Sequence, residues 1–118
     1  MRDYKKLGIW EKSFALCMEI YDITNRFPDF EKFGLTSQMQ RAAVSIPSNI
    51  AEGCGRQSDR DFYYFLGIAK GSVNELQTQL YIAAGRHYLS QEEADKIDKD
   101  IDEVGSMLFH FMKKLSLS

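Results

Sequence analysis

Seven apolar residues, Ala94, Ile97, Ile101, Val104, Leu108, Phe111 and Leu115, recur at steps of three and four. That spacing follows the 3.6-residue helical turn, puts all seven on one stripe and excludes a strand, whose period is two. A helix with one long apolar stripe has to bury it, and this one has the seam of a coiled coil or a helical bundle. Ser90 opens the segment, with Glu93 three residues on, the pattern of a capping box.

Three more helices follow from the same reasoning. The first is expected over 8–27, with Trp10, Phe14, Cys17, Tyr21 and Thr24 as its stripe and Pro28 as its stop. Phe27, Phe30 and Phe33 crowd the joint that follows, and are expected to cover one end of the core. The second helix starts near Thr36 or Ser37, where Ser37 and Gln40 fit a capping box. It ends over 53–55, where Gly53 and Gly55 suit a helix terminus. The third starts at Ser58, assisted by Asp61, and runs to about residue 86. Phe62, Phe65, Leu66, Ala69, Val73, Leu76, Leu80 and Ala84 form its core face. Tyr63, Tyr64 and Phe65 lie inside this helical period, so nothing reads as a strand. Four helices with short joints predict an all-α fold, an antiparallel up-down-up-down four-helix bundle. The 118 residues suffice for one core, so a single domain over 1–118 is expected.

The second helix is unusual. At 100° per residue, with Ile46 at zero, Leu35, Met39, Ala42, Ala43, Ile50 and Gly53 fall within about 60° of it. Pro47, Ala51 and Cys54 make one flank apolar, with Val44 farther round. Gln38, Arg41, Ser45, Asn49, Glu52 and Arg56 make the other flank polar. The polar stripe is narrower than on a surface helix of a monomer. The helix is therefore expected to be buried on two sides, inside the bundle and against something else. Pro47 lacks the N–H that would reach the Ala43 carbonyl, an interior break that costs about 3 kcal/mol. It implies either a kink that wraps the bundle or a carbonyl freed for use at a site.

Glu75 faces away from the core side of the third helix, among mixed polar and apolar neighbours. Arg41, Ser45, Asn49, Glu52 and Arg56 are therefore candidates for a structural polar network that reaches Glu75. A ligand or nucleic-acid contact is the alternative use of the same residues.

Charge limits the partners. The chain carries a net −2. From residue 90 to 104, seven acids face two lysines, a local −5 that leaves +3 for the rest. The first half of the fourth helix repels phosphate. Arg56, Arg60 and Lys70, near the joint between helices two and three, are the candidate nucleic-acid contacts, with Lys5, Lys6 and Lys12 as further basic residues.

Cys17 and Cys54 read as free, buried thiols of a reducing compartment, although the sequence leaves a disulfide open. The polar first residues lack the apolar segment of a signal peptide. No apolar run approaches the roughly 20 residues of a membrane span. A soluble cytoplasmic protein is expected.

No chemistry stands out. The run from Gly53 to Arg56 follows a helix and lacks the Gly-Lys-Ser/Thr ending of a phosphate loop. His87 and His110 have no ligand-spaced partners, and Cys54 and Ser45 have no histidine at helical spacing. Glu52 and Glu75 could pair as carboxylates across helices, but arginine neutralisation is the simpler fate. No catalytic residue, metal, cofactor or small-molecule substrate is assigned.

The string Arg41-Ala-Ala-Val-Ser-Ile-Pro-Ser-Asn-Ile-Ala-Glu-Gly-Cys-Gly-Arg56 resembles the signature of the four-helix bundle proteins encoded in 23S rRNA intervening sequences, also called S23-type ribosomal proteins. Trp10, Phe27-Pro28, the stretches 33–38 and 65–72, Glu75-Leu76 and Leu80 extend the resemblance along nearly the whole chain. The accessory variability protein of diversity-generating retroelements looks like a relative, with a pentameric barrel that engages nucleic acid and a reverse transcriptase. The resemblance implies a four-helix bundle assembled into a ring of five, and no catalysis. Two functions stay open: a non-enzymatic homo-oligomeric assembly or adaptor protein, and an accessory protein that binds structured RNA or DNA through a basic patch repeated around the ring.

Overall fold

The computed structural model of the protein describes residues 3–116. Its four helices are α1 (Gly8–Thr24), α2 (Leu35–Cys54), α3 (Asp59–Gly85) and α4 (Gln91–Ser116). Short 3-10 turns at Tyr4–Lys6 and Asp29–Glu31 precede α1 and α2. The described residues contain no strand.

Contacts between neighbouring helices run in opposite directions along the chain. Lys12 meets Glu103 at 3.2 Å, Glu19 meets Lys96 at 2.7 Å and Arg26 meets Glu93 at 2.6 Å, so α1 descends as α4 ascends. Gln40 near the start of α2 donates to Thr24 at the end of α1. Ser45 bonds Ser72, and Gln77 donates to both Asp98 and Asp102. The result is the antiparallel up-down-up-down bundle, 45 × 23 × 20 Å.

The seam on α4 packs as its period requires. Ala94, Ile97, Ile101, Val104 and Leu108 are buried, while Phe111 and Leu115 are half-buried against the core. Ser90 and Glu93 form the reciprocal cap: the Glu93 N–H donates to Ser90 Oγ, and the Ser90 N–H donates to Glu93 Oε1. Ser58 caps α3 by accepting from the Asp61 N–H. On α3 the core face is as read, except that Phe65 and Ala84 are half-buried and Gln79 and Ala83 join the interior.

Three local expectations are corrected. The stripe of α1 that enters the core is Ile9, Ser13, Leu16, Ile20 and Ile23, with Cys17 and Thr24 at its edge. Trp10, Phe14 and Tyr21 lie on the next stripe round, Trp10 half-buried and Phe14 and Tyr21 exposed over less than half their surface. Both stripes have helical spacing; the aliphatic side chains and Ser13 fit the close-packed bundle axis, and the rings do not. Helix α2 starts at Leu35 rather than at Ser37, because Glu31 Oε1 reaches forward to accept the Leu35 N–H and does the work of a cap. Of the three phenylalanines in the joint only Phe27 is buried; Phe33 is 90% exposed.

Helix α2 continues through Pro47. Every residue assigned to its core face is buried. Its apolar flank is covered partly from within the chain, because Trp10 and Tyr4 lie beside Pro47 and Ala51. Gly53 sits where α2 meets α3. A Cβ there would stand 2.8 Å from the Phe62 ring and 2.9 Å from the Phe65 Cβ.

Candidate interaction surface

The outward stripe of α1 and the small residues of α2 form a groove of about 400 Å³. Tyr4, Trp10, Phe14, Met18 and Tyr21 make one wall, and Val44, Pro47, Ser48 and Ala51 make the floor and the other wall. The floor is low because α2 presents no long side chain there, and the Pro47 ring replaces one. Trp10 stacks on Phe14 with centroids 5.2 Å apart, and Tyr4 meets Trp10 edge-on at 5.3 Å. The rings are therefore held in place, yet Phe14 remains 45% and Met18 44% exposed. Cys17 lines the groove, and burial pushes its thiol up, which disfavours the thiolate a nucleophile requires.

A second apolar face lies on α3. With buried Leu66 at zero, Tyr64, Ile68, Gly71, Glu75 and Ile82 fall within about 40° of the opposite direction. They form a convex ridge on which Tyr64 is 64% and Ile82 50% exposed. Sequence reasoning placed the aromatic residues of α1 in the core and so missed the groove. The available signal was that α1, like α2, carries apolar residues on more than one face.

The six residues of the expected polar network do not form one network within the chain. Asn49 Nδ2 donates to the Ser45 carbonyl at 2.8 Å and to Ser45 Oγ at 2.9 Å, and Ser45 Oγ shares a hydrogen bond with Ser72 Oγ at 2.8 Å. This half-buried cluster joins α2 to α3. Arg56 and Glu52 form a separate exposed pair at 2.9 Å, and the Arg56 guanidinium lies 4.7 Å from the Phe65 ring centroid. Arg41 points outward and has no ion-pair partner among the described residues. Glu75 accepts from Gln79 at 3.3 Å and meets no arginine among the described residues. The Ser45–Ser72 register sets Arg41 level with Glu75, but the outward direction of both keeps them apart. Gln79 is buried, and its Oε1 accepts no hydrogen bond from any described residue.

The candidate nucleic-acid contacts are also divided. Arg56 turns toward α2 and Phe65. Arg60 lines a recess with Tyr63 and Leu115, and Lys70 lies between α3 and α4 beside Asp102 and Gly105. Between α1 and α4, Lys96 bridges Glu19 and Asp100. Burial pushes the Glu19 carboxyl up there, with Lys96 opposing the shift. Among the described residues no cluster of His, Cys, Asp and Glu is disposed to hold a metal, and no helix is long and apolar enough to cross a membrane.

Comparison with known proteins agrees with this architecture. A family model described as "23S rRNA-intervening sequence protein" matches residues 5–110. A solved structure from Bacteroides thetaiotaomicron, described as a protein with unknown function from the S23 ribosomal protein family, is 27% identical. It covers 89% of this chain and 95% of its own, with a TM-score of 0.83. No curated protein matches the chain.

Proposed function

Because this chain belongs to the 23S rRNA-intervening sequence protein family, and because its fold leaves two separate apolar faces in solvent, we propose that it is a non-enzymatic, homo-oligomeric assembly protein that works as a ring of five copies. The observation that carries this reading is the open aromatic groove between α1 and α2. A contiguous exposed patch of ordered rings beside small residues is costly in water and typical of an interaction surface. The second helix supports the same conclusion. Its apolar flank is only partly covered by α1, and Val44 remains exposed.

Absence of chemistry is part of the proposal. The raised Cys17 thiol and the self-contained ion pairs offer no activated nucleophile or acid–base pair. Cys17 and Cys54, buried and outside any disulfide, fit a reducing, cytoplasmic setting. The role in binding RNA or DNA draws less support, since Arg56 is engaged by Glu52, Lys70 sits beside Asp102, and the three basic residues face different ways.

Light scattering after size exclusion tests the proposal. At micromolar concentration the mass should be several times the 13.6 kDa of one chain. A monomer would overturn it.

A further inference from the structure

Three ion pairs tie α1 to α4, and the middle one is unbalanced. Lys12 meets Glu103 and Arg26 meets Glu93, one cation to one carboxylate. Lys96 meets Glu19 at 2.7 Å and Asp100 at 3.3 Å, so one ammonium serves two carboxylates. The acids are also the drier partners: the Glu19 side chain is 30% and that of Asp100 20% exposed, against 69% for Lys96. Lys96 neutralises one negative charge. The second is left where water solvates it poorly, and a proton from solvent is the simplest way to remove it. We propose that Glu19 and Asp100 form a single proton-binding site on the α1–α4 seam, so that α1 docks on α4 more firmly in mildly acid solution than at neutral pH.

The surrounding charges assign the proton to Glu19. Burial pushes its carboxyl up, and Asp100, within hydrogen-bond reach, adds to the shift against Lys96. Asp100 is held the other way. Burial pushes it up, but Glu19, Lys96 and the charge of Lys12 together keep it below its ordinary range. A protonated Glu19 therefore donates to an ionised Asp100, which keeps Lys96 as its counter-ion. The other charged groups of this seam are Asp22 and Lys12 on α1, and Glu93 and Glu103 on α4, the last two held by Arg26 and Lys12. Among the described residues no charged group of α2 or α3 acts on either carboxyl of the pair.

The sign of the effect is opposite to that of the neighbouring pair. A carboxyl raised in the folded state contributes stability that is fully present below its unfolded value, about pH 4, and is lost as pH rises through the folded one. Glu93, lowered by Arg26, contributes above that value and fails in acid. The two together place the firmest seating of α1 between neutral pH and the acid limb. Helix α1 also carries Phe14, Met18 and Tyr21, the wall of the groove, so the site links the seating of that wall to pH.

Glu19→Gln gives the position at every pH the charge it has when protonated. Urea midpoints of the full chain, at one protein concentration, should show this variant more stable than the unmodified protein at about pH 7 and equal to it near pH 4. In an Asp100→Asn background the advantage at neutral pH should shrink, because the second negative charge is gone. A variant less stable than the unmodified protein at neutral pH, a gap that does not change with pH, or a gap indifferent to Asp100→Asn would overturn the proposal. Carbon-13 titration of the side-chain carboxyls reads the same site without relying on the stability of Glu19→Gln. Glu19 should titrate above the ordinary midpoint of about 4.3 and move back toward it in Asp100→Asn. A midpoint at or below the ordinary one would show that Glu19 holds no such proton.

Discussion

Tyr88 and Glu31 are 57 positions apart and share a hydrogen bond of 2.7 Å, in which the tyrosine hydroxyl donates to Oε2 of the carboxylate. The other oxygen of Glu31 accepts the Leu35 N–H at 3.1 Å. One side chain thus caps α2 and ties it to the joint between α3 and α4. The two bonds, that from Tyr88 first, hold the Glu31 carboxyl below the ordinary carboxylate range.

That shift sets a pH dependence. A carboxyl lowered in the folded state contributes stability that is present above its unfolded value, about pH 4, and is lost as pH falls through the folded one. Glu93, lowered first by Arg26 and then by the Ser90 N–H, acts in the same sense. Glu31→Gln should therefore reduce stability at neutral pH and flatten the acid limb. Urea midpoints measured from about pH 7 to pH 3 should converge for the two proteins at the acid end. Parallel curves would show that Glu31 is not the group responsible.

Gly53→Ala should destabilise the bundle by roughly 1–3 kcal/mol, the usual cost of overpacking. The added methyl would meet Phe62 and Phe65 below 3 Å, and the contact with the Phe65 Cβ cannot be relieved by rotating a ring. Chemical denaturation gives the number. A neutral or stabilising result would mean that the α2–α3 joint is looser than the structure has it.

Gln79→Met should raise stability by about 1 kcal/mol, because a buried acceptor without a partner is replaced by an apolar chain of similar volume. The exchange gives up the bond from Gln79 Nε2 to Glu75, which at 3.3 Å is long. Thermal melts of the two proteins decide it, and a drop in the midpoint would show that the Oε1 is satisfied in solution.

The cluster around Ser45 should matter more than the exposed pair beside it. Asn49→Ala leaves Ser45 without two of its donors' bonds and should cost about 1 kcal/mol. Arg56→Ala removes an exposed i,i+4 pair and should change stability by less than about 0.5 kcal/mol. Equal losses, or the reverse order, would place the important contact at Arg56.

Structured RNA should bind weakly, with little difference between about 50 and 200 mM salt. Arg56→Ala/Arg60→Ala/Lys70→Ala should leave that result unchanged, since the three side chains face different parts of the surface. Tight binding at low salt that the triple variant loses would revive the nucleic-acid reading.

The periods of α3 and α4, the caps at Ser58 and Ser90, the apolar core face of α2 and the number of helices were all legible from residue order. Each rests on interactions within a turn or two of helix, and local chemistry is visible locally. The orientation of α1 was not. Ile9, Leu16 and Ile20 compete with Trp10, Phe14 and Tyr21 for the interior, and the choice depends on the room left by three other helices. For the same reason Glu31 was invisible as a cap, since its place is set partly by Tyr88 arriving from the far end of α3. The polar stripe of α2 was correctly seen as a stripe, but its partition into a Ser45–Asn49–Ser72 cluster and an Arg56–Glu52 pair follows from the register of α2 on α3. Spacing along the chain states which residues share a face; packing against other helices states which of two faces is inside, and so which is left open for a partner.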